Sequence, residues 1–130
     1  MKPVTKDWIN FAKDDLDAAK SLSREDHLTN VVSFHAHQTI EKCFKAVMEE
    51  KHIDFQKTHN LVTLCHQISA VLTIECQEDI LLEVNELYIS SRYPSDIGLL
   101  PSGKPTQKEA DTFLTLAEEI FNKVTSFLES

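Results

Sequence analysis

The chain has 130 residues, of which 42% are hydrophobic, and it contains only 2 glycines and 4 prolines. So few turn-forming residues exclude turn-rich all-β folds and collagen-like repeats, and the length predicts one domain, residues 1–130, around a single core. The net charge of −8, from 13 basic and 21 acidic residues, argues against a protein that binds extended nucleic acid through overall positive charge.

The sequence carries no signal for membrane insertion or for an oxidising compartment. The N-terminal residues MKPVTKDWINF form no apolar run, and the chain has no uninterrupted apolar stretch of about 18 residues. We therefore expect a soluble, cytoplasmic protein without a membrane partner. Cys43, Cys65 and Cys76 form no C-x-x-C pair, and we interpret them as small buried apolar side chains.

The first two predicted elements are helices. Residues 6–22 place apolar side chains at spacings of three and four, and Thr5 is the predicted N-cap. A polar break over residues 23–26 precedes a second helix, over residues 28–48, whose apolar side chains cover more than half of its circumference. A helix so widely apolar is expected at the centre of the fold.

One polar strip remains on the second helix. Its members lie at positions i, i+3, i+4 and i+7, so their side chains stack along one edge; they are Gln38, Glu41, Lys42 and Lys45. Two interpretations are open: a charged ladder that lines a cleft, or an exposed edge stabilised by a pair between Glu41 and Lys45. The spacing alone favours the exposed edge.

The rest of the chain also predicts helices. A loop over residues 50–59 leads to a third helix that begins near Thr58 and extends through Leu72, and a fourth helix covers residues 75–91. Residues 92–105 contain both glycines and three of the four prolines, which predicts one long loop, and Thr106 then caps a last helix. The predicted fold is an all-α, up-and-down antiparallel bundle of four main helices plus a short one.

Residue patterns of the common enzyme classes are missing. The two glycines form no phosphate-binding loop, and no serine, cysteine or histidine lies in a recognised nucleophile motif. Of the histidines in the second helix, only His37 has an i, i+4 partner, Glu41, which is too little to predict a metal site. We therefore predict no metal and no cofactor.

A second candidate feature is the tripeptide Arg92-Tyr93-Pro94 at the end of the fourth helix. An arginine offers a planar fork for phosphate, and a tyrosine offers a face on which a base can stack. The alternative is structural: Pro94 ends the helix, Tyr93 packs on the bundle, and Arg92 pairs with a carboxylate. The residues alone favour this second interpretation.

Three segments together resemble the HEPN (higher eukaryote and prokaryote nucleotide-binding) domain family: FHAHQTIEKCFKAVM at 34–48, THNL at 58–61 and SRYP at 91–94. The resemblance implies a helical bundle, commonly a homodimer, that often acts with a minimal nucleotidyltransferase in a toxin–antitoxin pair. It also implies that the family's polar positions, which correspond here to Gln38, Glu41, Lys42, Lys45, His59, Arg92 and Tyr93, line a site for a nucleotide such as ATP.

One departure from the family bears on catalysis. The family's ribonuclease branch is characterised by an arginine followed four to six residues later by a histidine, whereas here Arg24 precedes His27 too closely and no histidine follows Arg92. We therefore expect a non-catalytic subunit that binds a nucleotide or a partner. The alternatives are a metal-independent ribonuclease toxin with a displaced active site, which uses Lys42, His59 and Arg92, and a purely structural assembly module.

Charge and aromatic residues add two expectations. Residues 42–59 carry 4 basic and 3 acidic groups and residues 87–108 carry 3 and 1. The positive segments of this acidic chain are therefore the two that carry Lys42, Lys45 and His59, and Arg92 and Tyr93. A small anion is then a more suitable ligand than a long polyanion. The aromatic residues of the first and last helices predict surplus apolar surface for a homodimer; they are Trp8, Phe11, Phe113, Phe121 and Phe127.

Overall fold

The computed structural model describes residues 1–55, 57–75, 78–92 and 104–130, with only the backbone of residues 89–92. These residues form five α-helices and a short 3₁₀-helix, Asp26–Leu28, and contain no strand. The α-helices are α1 (Pro3–Leu22), α2 (Thr29–Glu50), α3 (Leu61–Ile68), α4 (Glu78–Arg92) and α5 (Gln107–Glu129). The all-α prediction is confirmed.

Helix α2 occupies the centre of the bundle and contacts all four other α-helices. Its largest partner is α1, which runs antiparallel to it: Thr5 near the start of α1 donates its hydroxyl hydrogen to Glu50 at the end of α2. Ten residues later on α1, Asp15 contacts His35 in the first half of α2. The wide apolar surface read from the sequence explains the central position of α2.

The core is formed by apolar side chains from every α-helix, and Ile40, Phe44, Met48 and Phe113 are among the largest that are fully buried. The burial of Phe113 corrects one expectation, because a ring inside the core adds nothing to an outer apolar surface. Cys43 is also buried and free, as predicted. Burial raises the pKa of its thiol far above the ordinary value, since a thiolate is poorly solvated in the core.

Three helix ends differ from the predictions. Thr5 lies inside α1, whose N-cap is Lys2, because Pro3 begins the helix and needs no hydrogen-bond partner for its nitrogen. The N-cap of α3 is Asn60, not Thr58: the Asn60 carboxamide oxygen accepts from the backbone N–H groups of the second and third residues of α3. Helix α3 ends at Ile68, four residues before the predicted end.

The start of the last helix agrees with the prediction. Thr106 caps α5 in a capping box, in which its hydroxyl accepts from the Glu109 N–H and the Glu109 carboxylate accepts from the Thr106 N–H. The predicted loop between the last two helices is only partly within the described residues, because 93–103 lie outside them, as does Cys76.

Cys65 is buried but disulfide-bonded, so its interpretation as a simple apolar side chain was wrong.

The described helices do not meet the requirements of a membrane span. None of them combines the length and the apolar character that crossing a bilayer demands.

Candidate functional site

Two similar groups of side chains lie along the outer edge of α2, and each consists of a carboxylate held between a lysine and a histidine. In the first, the Asp15 unit, Lys42 Nζ donates to Asp15 Oδ2 at 2.6 Å, and His35 Nδ1 lies 2.8 Å from Asp15 Oδ1. In the second, the Glu41 unit, Lys45 Nζ donates to Glu41 Oε2 at 2.9 Å, and His59 Nδ1 lies 2.8 Å from Glu41 Oε1.

Helix geometry explains how each unit is assembled. His35 and Lys42 are seven residues apart on α2, so both side chains project from one edge, where Asp15 of the antiparallel α1 reaches them. Glu41 and Lys45 are an i, i+4 pair on α2 itself. His59 arrives from the segment before α3, which makes the Glu41 unit a contact between α2 and that segment.

Both carboxylates are ionised at neutral pH. Burial alone would raise the pKa of Asp15, but hydrogen bonds from His35 and Lys42 outweigh it and lower this pKa below its ordinary value. Burial likewise opposes ionisation of Glu41, and the bonds from Lys45 and His59 lower its pKa. Because an ionised carboxylate only accepts hydrogen bonds, the His59 ring donates from Nδ1, and its Nε2 is left on the other side of the ring.

A buried histidine lies behind the Glu41 unit. The His37 side chain is fully buried, and its Nε2 donates to the His59 backbone carbonyl at 3.0 Å. Its Nδ1 is then the acceptor, and the Gln38 carboxamide nitrogen lies 3.4 Å from it. Burial lowers the pKa of His37 to about 4 despite the nearby Glu41 carboxylate, so the ring is neutral at pH 7.

Aromatic rings hold His37 in place. Tyr88 of α4 stacks on His37 with 4.1 Å between the ring centroids, and Phe34 stacks on Tyr88 at 5.6 Å. The Tyr88 ring also lies 5.5 Å from that of His59. Tyr88 therefore connects α4 to both the central helix and the segment that carries His59.

Two asparagines hold the start of α3, directly after His59. Asn85 of α4 accepts from the Leu61 N–H at 3.1 Å and donates to the Asn60 carboxamide oxygen at 3.2 Å. That same Asn60 oxygen caps α3. Three contacts therefore hold His59: its backbone carbonyl accepts from His37, its ring donates to Glu41, and the next residue, Asn60, caps α3.

The outer surface of the two units carries aromatic side chains next to the lysines. Lys45 Nζ lies 5.6 Å from the centroid of the Trp8 ring, and Lys42 Nζ lies 5.9 Å from that of Phe11. The Phe55 ring contacts Trp8 with 6.1 Å between centroids. Each lysine of the two units therefore lies next to an aromatic ring.

The structure brings together most of the residues that the sequence singled out. Glu41, Lys45 and His59 form one unit, and the predicted i, i+4 pair between Glu41 and Lys45 is present. Lys42 belongs to the neighbouring unit, and Gln38 contacts His37. These five positions lie on one face of α2 and the segment beside it.

The structure describes one of the other two predicted site residues only in its backbone, and the second not at all. Arg92 is the last residue of α4, one helical turn after Tyr88, and its side chain lies outside the described residues, as does all of Tyr93. Among the described residues, no group of three or more histidine, cysteine, aspartate or glutamate side chains is placed to hold a metal ion.

Sequence reasoning missed the carboxylate partner of Lys42. Asp15 belongs to a helix with many charges, and only the pairing of α1 with α2 distinguishes it from the exposed Asp14. One signal was available: Asp15 falls at the edge of the apolar face of α1, at the position four residues after Phe11. Because of these pairings, the two lysine charges are matched by two carboxylate charges.

Known proteins supply an independent comparison. Residues 5–127 match the family model described as the HEPN domain. The fold is similar to the crystal structure of ST0689, an archaeal HEPN homologue (TM-score 0.67, 24% identity, covering 97% of this chain and 98% of that one). It is also similar to the crystal structure of TT1696 from Thermus thermophilus (TM-score 0.72, 24% identity, covering 97% and 99%). No curated protein sequence matches the chain.

Proposed function

The chain belongs to the HEPN domain family, and from this premise we propose that it is a non-catalytic subunit that binds a nucleotide through its phosphate groups. The observation that carries the proposal is the pair of Lys–carboxylate–His units side by side on α2. Buried carboxylates hold two ammonium groups at the surface, so a phosphate meets donors whose positions are already fixed.

The units leave hydrogen-bond donors for a ligand. An ammonium group has three N–H donors, and each lysine directs one of them to its carboxylate. The side chains of Lys42 and Lys45 are 23% and 15% exposed, so both reach the surface. Because the two ion pairs cancel in charge, the attraction for an anion comes from the remaining N–H donors of the two ammonium groups and, in this proposal, from Arg92.

We propose further that the site is shared with a partner. In this proposal the chain acts in the cytoplasm, forms a homodimer and associates with a minimal nucleotidyltransferase as half of a toxin–antitoxin pair. The exposed Phe11 ring and the partly buried rings of Phe121 and Phe127 support association between chains. If the chain is instead a purely structural assembly module, adding nucleotide does not change its complex with the nucleotidyltransferase.

Isothermal titration calorimetry with ATP tests the phosphate proposal. We expect saturable binding at or below millimolar concentration, and we expect Lys42→Gln to weaken it about tenfold, because a hydrogen bond to a charged group contributes about 1.5 kcal/mol. Lys42→Arg keeps the charge and the bond to Asp15 and should restore most of the affinity. Absence of heat with every nucleoside triphosphate at millimolar concentration would contradict the proposal.

A matched control separates charge at the site from charge in general. Lys13 on α1 is exposed and pairs with Asp17, and Lys13→Gln removes the same charge without touching either unit. Both glutamine variants need a thermal unfolding curve first, so that binding is compared between folded proteins. Light scattering on the same samples gives the mass, for which we expect two chains.

A second candidate function, metal-independent RNA cleavage, is favoured by one observation. The Glu41 carboxylate holds His59 by Nδ1, and the His59 side chain is 56% exposed, an arrangement suited to a general base. In this reaction Nε2 takes the proton of a ribose 2′-hydroxyl, the oxygen attacks the adjacent phosphorus, and the 5′-oxygen leaves and takes up a proton. No nucleophile from the protein is required.

Incubation of the pure chain with single-stranded RNA or tRNA distinguishes the two functions. The non-catalytic proposal predicts no cleavage. Cleavage that persists with a chelator, disappears in His59→Ala and remains in the exposed control His27→Ala would establish the ribonuclease instead. The control is matched because His27 lies in the turn before α2, away from both units.

A further inference from the structure

Two aromatic rings at the surface of the Glu41 unit, those of Phe55 and Trp8, have no role in the function proposed above. Phe55 is 40% exposed and contacts Trp8, the only tryptophan of the chain. Exposing a phenylalanine ring to water is unfavourable, so an exposed ring in contact with the tryptophan indicates a surface that a ligand covers.

Direct contacts connect these rings to the Glu41 unit. The Phe55 ring contacts Trp8, and Lys45 Nζ lies over the Trp8 ring, 5.6 Å from its centroid. Lys45 donates to Glu41, which also accepts from His59. Aromatic rings and an exposed imidazole thus lie on the two sides of one lysine.

The combination of groups identifies the class of ligand. Flat rings suit a flat aromatic group, and an ammonium and an imidazole suit an anion, so the surface matches a molecule that carries both, as a nucleotide does. An apolar partner helix fits less well, because it would remove Lys45 and His59 from water without supplying a charge of its own.

We infer that the exposed Phe55 ring, beside Trp8, stacks on the base of a mononucleotide whose phosphate groups contact Lys45 and His59. The inference rests on the proposed nucleotide function and adds to it a requirement for the base. It also assigns stacking to a residue four positions before His59 in the same segment, whereas the sequence offered Tyr93 for that role.

Fluorescence provides a direct test, since Trp8 is the only tryptophan. Titrating the full chain with ATP should quench Trp8 emission, and ATP should bind about tenfold more tightly than inorganic triphosphate, which has the same phosphate chain without a base. Phe55→Ala should reduce the affinity for ATP to that for triphosphate, and Phe55→Tyr should restore it. Leu82→Ala, at another exposed apolar position, on α4, is the control and should behave as wild type.

The outcomes separate this inference from the function it rests on. Equal affinity for ATP and triphosphate, with no change in Phe55→Ala, would overturn base stacking and leave phosphate binding intact. Absence of binding for both ligands would overturn the two proposals together. If Phe55→Ala instead lowers the mass measured by light scattering and leaves ATP affinity unchanged, the rings belong to an interface between chains and the inference is wrong.

Discussion

Replacing Glu41 by glutamine should lower the free energy of unfolding by about 3 kcal/mol, because the buried carboxylate accepts from two cationic or polar partners at once. Glu41 is 4% exposed and holds Lys45 and His59 through separate oxygens. A carboxamide of the same shape has only one acceptor oxygen, so one partner then faces an N–H group. Urea unfolding at pH 7 measures the loss.

The same substitution at a partly buried position near the end of α2 gives the control. Glu49→Gln should change stability by no more than about 0.5 kcal/mol. Because the pKa of Glu41 is lowered in the folded state, its contribution is complete above the ordinary pKa and is lost as the pH falls through the lowered value. The difference between wild type and Glu41→Gln should therefore shrink as the pH falls below the ordinary pKa of a glutamate; a constant difference would show that packing, not charge, is responsible.

Stability should also depend on pH through His37. Its pKa falls from 6.5 to about 4 on folding, so between these values the unfolded chain binds a proton that the folded chain does not. Acidification then favours the unfolded state, and lowering the pH from 7 to 5 should cost about 2 kcal/mol. Below about pH 4 both states are protonated and this dependence ends.

The variant His37→Gln isolates that effect. A glutamine carboxamide can still donate to the His59 carbonyl but cannot take up a proton, so the stability difference between pH 7 and pH 5 should fall by about 2 kcal/mol whatever the variant's stability at pH 7. His27→Gln, on the exposed surface, should keep the wild-type difference. If His37→Gln keeps it as well, another group is responsible for the acid sensitivity.

The fold was predictable because helical periodicity is strong in this chain. Few glycines and prolines interrupt the apolar patterns, and the wide apolar surface of α2 indicates its central position from the sequence alone. Helix ends were harder to predict, because two candidate N-cap residues can lie within two positions of each other, as Thr58 and Asn60 do. The choice of Asn60 depends on Asn85, which is far away in sequence.

The site was predictable in its members and not in its pairing. The spacing along α2 predicts that Lys45 can reach Glu41, since both belong to one helix. It cannot predict that Lys42 is held by Asp15 or that His37 is buried behind His59, because those contacts depend on how α1, α4 and the segment before α3 pack. Tertiary contacts thus gave Lys42 a carboxylate partner, Asp15, that the spacing along α2 does not indicate.

The ion pair between Asp15 and Lys42 constrains how these two positions can change in evolution. Loss of Lys42 alone leaves an ionised carboxylate with one partner fewer at the contact between α1 and α2, and loss of Asp15 alone leaves a partly buried ammonium. Each single substitution is therefore unfavourable, whereas replacing both residues by apolar ones is not. Such dependence of one substitution on another is epistasis, here between neighbouring helices. Positions 15 and 42 should therefore vary together among relatives, so that substitutions at one predict substitutions at the other.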